Sequence, residues 1–68
     1  MEPLLQFFAY AHLPEHLQVI SKPFGDTAQW MVGTLPANEM RAAGLLKLLE
    51  AKDCAVRAKL YKDQTTGA

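Results

Sequence analysis

Cysteine is almost missing from this chain: Cys54 is the single one among 68 residues, so no disulfide can form within it. With only His12 and His16 beside it, it offers no structural zinc cluster either. Charge shows no excess of either sign, seven basic against seven acidic side chains, which argues against a non-specific grip on long nucleic acid. Long apolar runs are lacking too, and nothing approaches the roughly 20 residues of a membrane span. The opening Met1-Glu2-Pro3-Leu4-Leu5 has no basic segment and no cleavage site, so a cytosolic protein is expected. Nucleophilic serine–histidine arrangements, Walker-type phosphate loops and dinucleotide fingerprints are all absent. The expectation is a protein that is not an enzyme and carries no cofactor or metal.

Those absences matter because the chain is small. One domain spanning residues 1–68 is expected, and a domain of that size buries only about 60% of its unfolded surface. Without disulfides or zinc, oligomerisation is the remaining way to supplement the core.

What is present is helical pattern. Pro3 suits a first helical turn, and Leu4, Leu5, Phe7, Phe8 and Ala11 follow without a breaker, giving a short helix from Pro3 to about His12. Pro14 opens a second helix, in which Leu17, Ile20, Phe24, Ala28, Met31 and Leu35 keep spacings of three and four. Pro23 interrupts its hydrogen bonding, so this helix is expected to bend near Ser21 or Lys22 rather than stop. Gly33 to Asn38 reads as the turn. Asn38 is the candidate N-cap of a third helix, with Glu39 favourably placed in its first turn and Arg41 at N3 excluding a capping box. That helix runs to about Lys62, and Gln64 to Ala68 should fray. The fold class is therefore all-α: a short N-terminal helix, then an antiparallel two-helix hairpin with a proline-bent second helix, assembling as a homo-oligomer.

The last helix motivates that assembly. Leu46, Leu49, Val56 and Leu60 trace one stripe, and Leu48, Ala51, Ala55 and Ala58 a second, small-residue stripe beside it. A hairpin partner covers one stripe, which leaves the other for further copies. The same helix holds Lys47, Lys52, Arg57, Lys59 and Lys62 against Glu50 and Asp53. This is either a solvated face, with Asp53 and Arg57 as an i,i+4 pair, or a surface for a small anionic ligand.

Three further constellations need weighing. His12-Leu13-Pro14-Glu15-His16 fits the bare H-x-x-E-H pattern of an inverted zinc metalloprotease, yet that chemistry needs both histidines on one face of an unbroken helix, and Pro14 divides them. Cys54 reads as a small buried filler. Phe7, Phe8, Tyr10 and Trp30 are aromatic residues within reach of Lys22. An aromatic face beside a lysine is the minimum equipment for a nucleotide: stacking is worth roughly 1 to 3 kcal/mol per base, and the ammonium meets the phosphate. Phe8 is the ring expected in the core.

Two blocks go beyond general pattern. They are His12-Leu13-Pro14-Glu15-His16-Leu17-Gln18 with Ser21-Lys22-Pro23-Phe24, and Leu48-Leu49-Glu50-Ala51-Lys52-Asp53-Cys54-Ala55-Val56-Arg57-Ala58. Together they resemble the small phage anti-CBASS sponges for cyclic oligonucleotides and the related helical hairpin of phage anti-Thoeris sponges. The resemblance implies a homohexamer, in the cytoplasm of the infected bacterial host, that captures immune messengers without cleaving them. Cyclic dinucleotides such as cyclic GMP-AMP are its implied ligands, with Phe7 or Tyr10 stacking on a base and Lys22 meeting the phosphate. Cyclic trinucleotides are implied at a separate three-fold site, where Arg57 matches the family's arginine and Leu46 stands in place of a basic residue. The competing reading is a helical adaptor whose apolar stripe docks on a partner protein.

Overall fold

A computed structural model describes residues 2–61. Among these residues there are three helical elements and no strand: a 3₁₀ helix, η1 (Pro3–Phe8), and two α-helices, α1 (Glu15–Thr34) and α2 (Glu39–Leu60). The expected end near Lys62 and the fraying of Gln64 to Ala68 lie outside the described residues.

The first element differs from the sequence expectation. It is a 3₁₀ helix that ends at Phe8, not an α-helix reaching His12, and Ala9 is already extended. Six residues are too few to nucleate a stable α-helix, so tertiary contacts decide the conformation. Glu2 caps the start, its carboxylate accepting from the Leu4 N–H at 3.3 Å. At the other end, Lys52 Nζ donates to the Phe7 carbonyl at 2.7 Å. With three residues per turn, adjacent side chains diverge by about 120°, which sends Phe8 into the core and leaves Phe7 exposed. A turn follows, closed by the Leu13 N–H on the Tyr10 carbonyl at 3.0 Å. Gln18 fastens that turn to α1 by donating to the carbonyls of Leu13 at 2.8 Å and Ala11 at 3.3 Å.

Pro14 opens α1 as expected, its carbonyl accepting from the N–H groups of Leu17 and Gln18. The helix continues through Pro23 and includes Gly33, so the connection to α2 is shorter than the sequence indicated. Pro23 lacks an N–H and leaves the Val19 carbonyl without its helical donor, but both residues lie on the exposed side, where water can serve it. Asn38 caps α2, its side-chain oxygen accepting from the Arg41 N–H at 2.8 Å. The two helices are antiparallel. Met31, late in α1, meets Gly44, early in α2, while Ser21 shares a recess with Val56 and Arg57.

Phe8, Ala28 and Leu45 form the buried core, with Leu4, Leu5, Phe24, Met31, Val32, Leu48 and Leu49 packed around it. The inward face of α2 comprises Arg41, Gly44, Leu45, Leu48, Leu49, Lys52, Ala55 and Val56. Both apolar stripes drawn from the sequence therefore contribute to one face, and two members of each stripe lie off it. Leu46 and Leu60 emerge on one flank, Ala51 and Ala58 on the other. The spare apolar surface of α2 is thus divided between two flanks, not gathered into a second stripe. Cys54 is exposed, contrary to the filler expectation, because it lies about 180° around the helix from Leu45.

Arg41 joins the three elements. Its guanidinium donates to Val32 O at 3.3 Å and Leu35 O at 3.0 Å, satisfying carbonyls at the end of α1, and to Glu2 Oε2 at 3.2 Å. Both partners of this ion pair are largely covered, their side chains 12% and 15% exposed.

Gly25 sets how closely η1 approaches α1. A Cβ there would stand 3.1 Å from the Phe8 carbonyl oxygen and 3.4 Å from the Tyr10 ring, whereas at Gly33 it would meet nothing within 4 Å. Gly33→Ala is expected to stabilise the protein by about 0.5 to 1 kcal/mol through helix propensity alone. Gly25→Ala should destabilise it by about 1 kcal/mol despite the same gain, because a backbone oxygen must move. Thermal unfolding followed by circular dichroism distinguishes the two, and equal shifts for both variants would contradict the close approach.

Candidate functional site

The Ser21–Gly25 stretch of α1 separates two recesses. A helical step of about 100° turns the adjacent residues Ser21 and Lys22 to different sides: Ser21 lines the second recess, and Lys22 is exposed on the side of the first.

The first recess, of about 260 Å³, lies between η1 and α1 and is lined by Leu5, Phe8, Tyr10, Gly25 and Gln29 among others. Its floor is open because Gly25 has no side chain, and the Tyr10 ring packs against that bare backbone. The volume falls below the roughly 300 to 1,000 Å³ of enclosed ligand pockets, so it suits one base or ring of a larger ligand. Lys22 is beside it on the exposed surface. Its Nζ donates to Asp26 Oδ2 at 2.6 Å, both side chains being 57% exposed. The hydrogen bond that Lys22 donates to Asp26 and the charge of that carboxylate, with a further contribution from Tyr10, raise the Lys22 pKa above its ordinary 10.5. The ammonium stays charged through the neutral range.

Asp26 was missed in the sequence reading, although its position four residues after Lys22 is the spacing at which opposite charges meet on a helix. The expected aromatic cluster is only partly assembled. Tyr10 faces the recess near Lys22, Phe8 is buried with its edge on the recess, Phe7 is exposed, and Trp30 points outward from α1 at 60% exposure.

The second recess, of about 250 Å³, lies between α1 and α2 and is lined by Leu13, Ser21, Lys52, Asp53, Val56 and Arg57. Arg57 is exposed and lines it without the ion pair to Asp53 that one of the two sequence readings supposes; the ion pairs among the described residues are Lys22–Asp26 and Arg41–Glu2. Lys52 is half-buried, with its ammonium 6.0 Å from the centroid of the Phe8 ring, at the limit of a cation–π contact. Ser21 is fully buried, and its Oγ has no hydrogen-bond partner among the described residues. Ser21 stands out in the sequence only as part of the Ser21-Lys22-Pro23-Phe24 block, since no periodicity distinguishes an unpartnered hydroxyl from a satisfied one.

His12 lies in the turn before Pro14 and His16 in the first turn of α1, so the H-x-x-E-H residues do not share one helix face. Among the described residues no group of three or more histidine, cysteine, aspartate or glutamate side chains is placed to hold a metal ion. No helix among them is long and apolar enough to cross a membrane. Comparison with protein families, with curated proteins and with solved structures finds no match.

Proposed function

We propose that this protein is a non-catalytic phage sponge that binds cyclic dinucleotides, and also cyclic trinucleotides, and thereby keeps CBASS effectors inactive. The observation that carries the reading is an open recess lined by the Tyr10 ring, with the exposed Lys22 about one helical turn before the lining residue Gly25: an aromatic face for a base and a cation on the same side of α1 for its phosphate. The resemblance of the two sequence blocks to anti-CBASS sponges supports the same assignment. Arg57, free of Asp53 at the second recess, is the contact for the trinucleotide.

Assembly into a homohexamer belongs to this reading, and two features support it. The protein is 15 Å across its thinnest dimension, little more than one helix with its side chains, so the fold is a single layer without a deep interior. Large apolar residues accordingly stay at the surface, among them Val19, Trp30, Met40 and Leu46. The first recess is also too small to enclose a cyclic dinucleotide, and a two-fold related copy would supply a second ring and a second cation to a ligand that is itself roughly two-fold symmetric.

Calorimetry with a panel of cyclic di- and trinucleotides tests the binding, and light scattering on the same sample tests the assembly. The expected result is a stable hexamer that binds at micromolar concentration or below and releases its ligand intact on denaturation. A folded oligomer that binds none of the panel would overturn the proposal. Linear products would point to a phosphodiesterase, and a monomer that grows only when another protein is added would point to a helical adaptor.

A further inference from the structure

Stacking holds a base without choosing it, because every base offers the same kind of aromatic face. Selectivity comes from groups that meet the edges of the base, and the first recess has two of them. Gln29 of α1 and Gln6 of η1 are among its lining residues, set against the apolar Leu5 and the bare backbone at Gly25. Both glutamines are exposed. Gln18 uses its amide on the carbonyls of Ala11 and Leu13, whereas the amides of Gln6 and Gln29 make no hydrogen bond among the described residues. Each therefore has both donors and an acceptor to offer a ligand.

Position along α1 sets the register. Lys22 and Gln29 are two helical turns apart, which places them within about 20° of each other around the helix and about 10 Å apart along it. That separation is comparable with the reach from a nucleotide's phosphate to the far edge of its base. Gly25 lies between them, with the Tyr10 ring packed against it. A nucleotide laid along this strip has its phosphate at Lys22, its ring against Tyr10 and its Watson–Crick edge at Gln29. The N7 edge is then left to Gln6.

We infer that Gln29 and Gln6 make the first recess selective for adenine, Gln29 pairing with N1 and the 6-amino group and Gln6 with N7 and the same amino group. That amino group carries two hydrogens, one beside N1 and one beside N7, so each carboxamide can donate to a ring nitrogen while accepting from the amine. Guanine matches Gln29 alone, through O6 and N1–H. Its N7 edge presents only acceptors, so the Gln6 oxygen would face O6 without a donor between them. Taking a cyclic dinucleotide as the molecule that carries the base rests on the proposed function.

Calorimetry with cyclic di-AMP, cyclic GMP-AMP and cyclic di-GMP tests the selectivity. Two copies related by a two-fold axis offer two identical recesses, so affinity should fall in that order, by about tenfold for each adenine replaced. Gln29→Glu is the informative variant. A carboxylate has acceptors and no donor, which suits N1–H and the 2-amino group of guanine and opposes N1 of adenine, so the order should reverse. Gln6→Met keeps the length of the side chain without its polar pair, and should bring the three affinities together by weakening cyclic di-AMP most. Both positions are exposed, so the melting temperature should change little in either variant. Equal affinity of the wild type for the three ligands, or an unchanged order in Gln29→Glu, overturns the adenine assignment and leaves the sponge reading standing. Binding of none of the three by the folded wild type overturns both.

Discussion

Leu45→Ala is expected to leave a substantial fraction of the protein unfolded at room temperature. Leu45 is the largest side chain that is completely buried, and it touches the short helix and both long ones through the cluster around Phe8 and Ala28. Truncating a buried leucine costs about 2.7 to 5 kcal/mol, the higher values arising where the surroundings cannot collapse into the cavity. A core this small supplies only about 3 to 5 kcal/mol in total, so the loss is comparable with the whole stability of an isolated chain. Self-association alters the outcome in a measurable way, since a folded oligomer gains stability with concentration. Urea unfolding at several protein concentrations should therefore show a large loss that shrinks as concentration rises. A midpoint within a few tenths molar of the wild type at low concentration would mean that Leu45 is not central to the fold.

Lys22→Ala should reduce cyclic dinucleotide affinity by about ten- to a hundredfold, the range for losing a charge-assisted hydrogen bond to phosphate. Trinucleotide affinity should change little, and Arg57→Ala should show the reverse selectivity. Asp26 makes a second comparison possible. Its carboxylate already occupies Lys22 at 2.6 Å, so a phosphate must displace it or share the ammonium with it. Asp26→Asn should consequently strengthen dinucleotide binding a few-fold. An exposed pair of this kind is screened by solvent and contributes little to stability, so neither substitution should move the melting temperature appreciably.

The pH dependence has a definite sign. Because the Lys22 pKa is raised above 10.5, its contribution to binding is fully present at neutral pH and is lost only as pH rises through that higher value. Calorimetry should find this contribution constant between pH 6 and 9. Equal losses of both ligand classes in Lys22→Ala and Arg57→Ala would contradict two separate sites.

Much of the scaffold was legible because it depends on local chemistry. Asn38 caps α2 through a hydrogen bond that needs only the right residue three positions before Arg41, and Pro14 starts α1 by lacking an N–H where none is needed. Phe8 was identifiable as the core ring. The features that escaped depend on distant partners. The Pro3–Phe8 segment has helical composition, but its conformation is set by Lys52 and Arg41, which lie in α2. Cys54 and the two apolar stripes were misjudged because spacing fixes which residues share a face without fixing which face turns inward. At the two recesses, Phe7, Tyr10, Lys22 and Arg57 stand out in the sequence by residue type and motif, whereas Gly25 as the floor, Asp26 as the competing anion and Ser21 as the unmatched hydroxyl depend on three-dimensional placement.

The attachments of η1 span long stretches of chain: Glu2 reaches Arg41 and Phe7 reaches Lys52, while α1 and α2 meet across a four-residue connection, 35–38. Closing the longer loops costs more chain entropy, so the hairpin can form first and η1 docks onto an existing surface. The reverse order applies to opening. Amide hydrogens of η1 should exchange through a local detachment that leaves the hairpin intact, well before those around Leu45. Since η1 leads directly into the turn that carries Tyr10, the first recess is assembled last and taken apart first. A ligand seated there would slow exchange in a segment that contributes few of its own contacts, which makes that segment a sensitive reporter of occupancy.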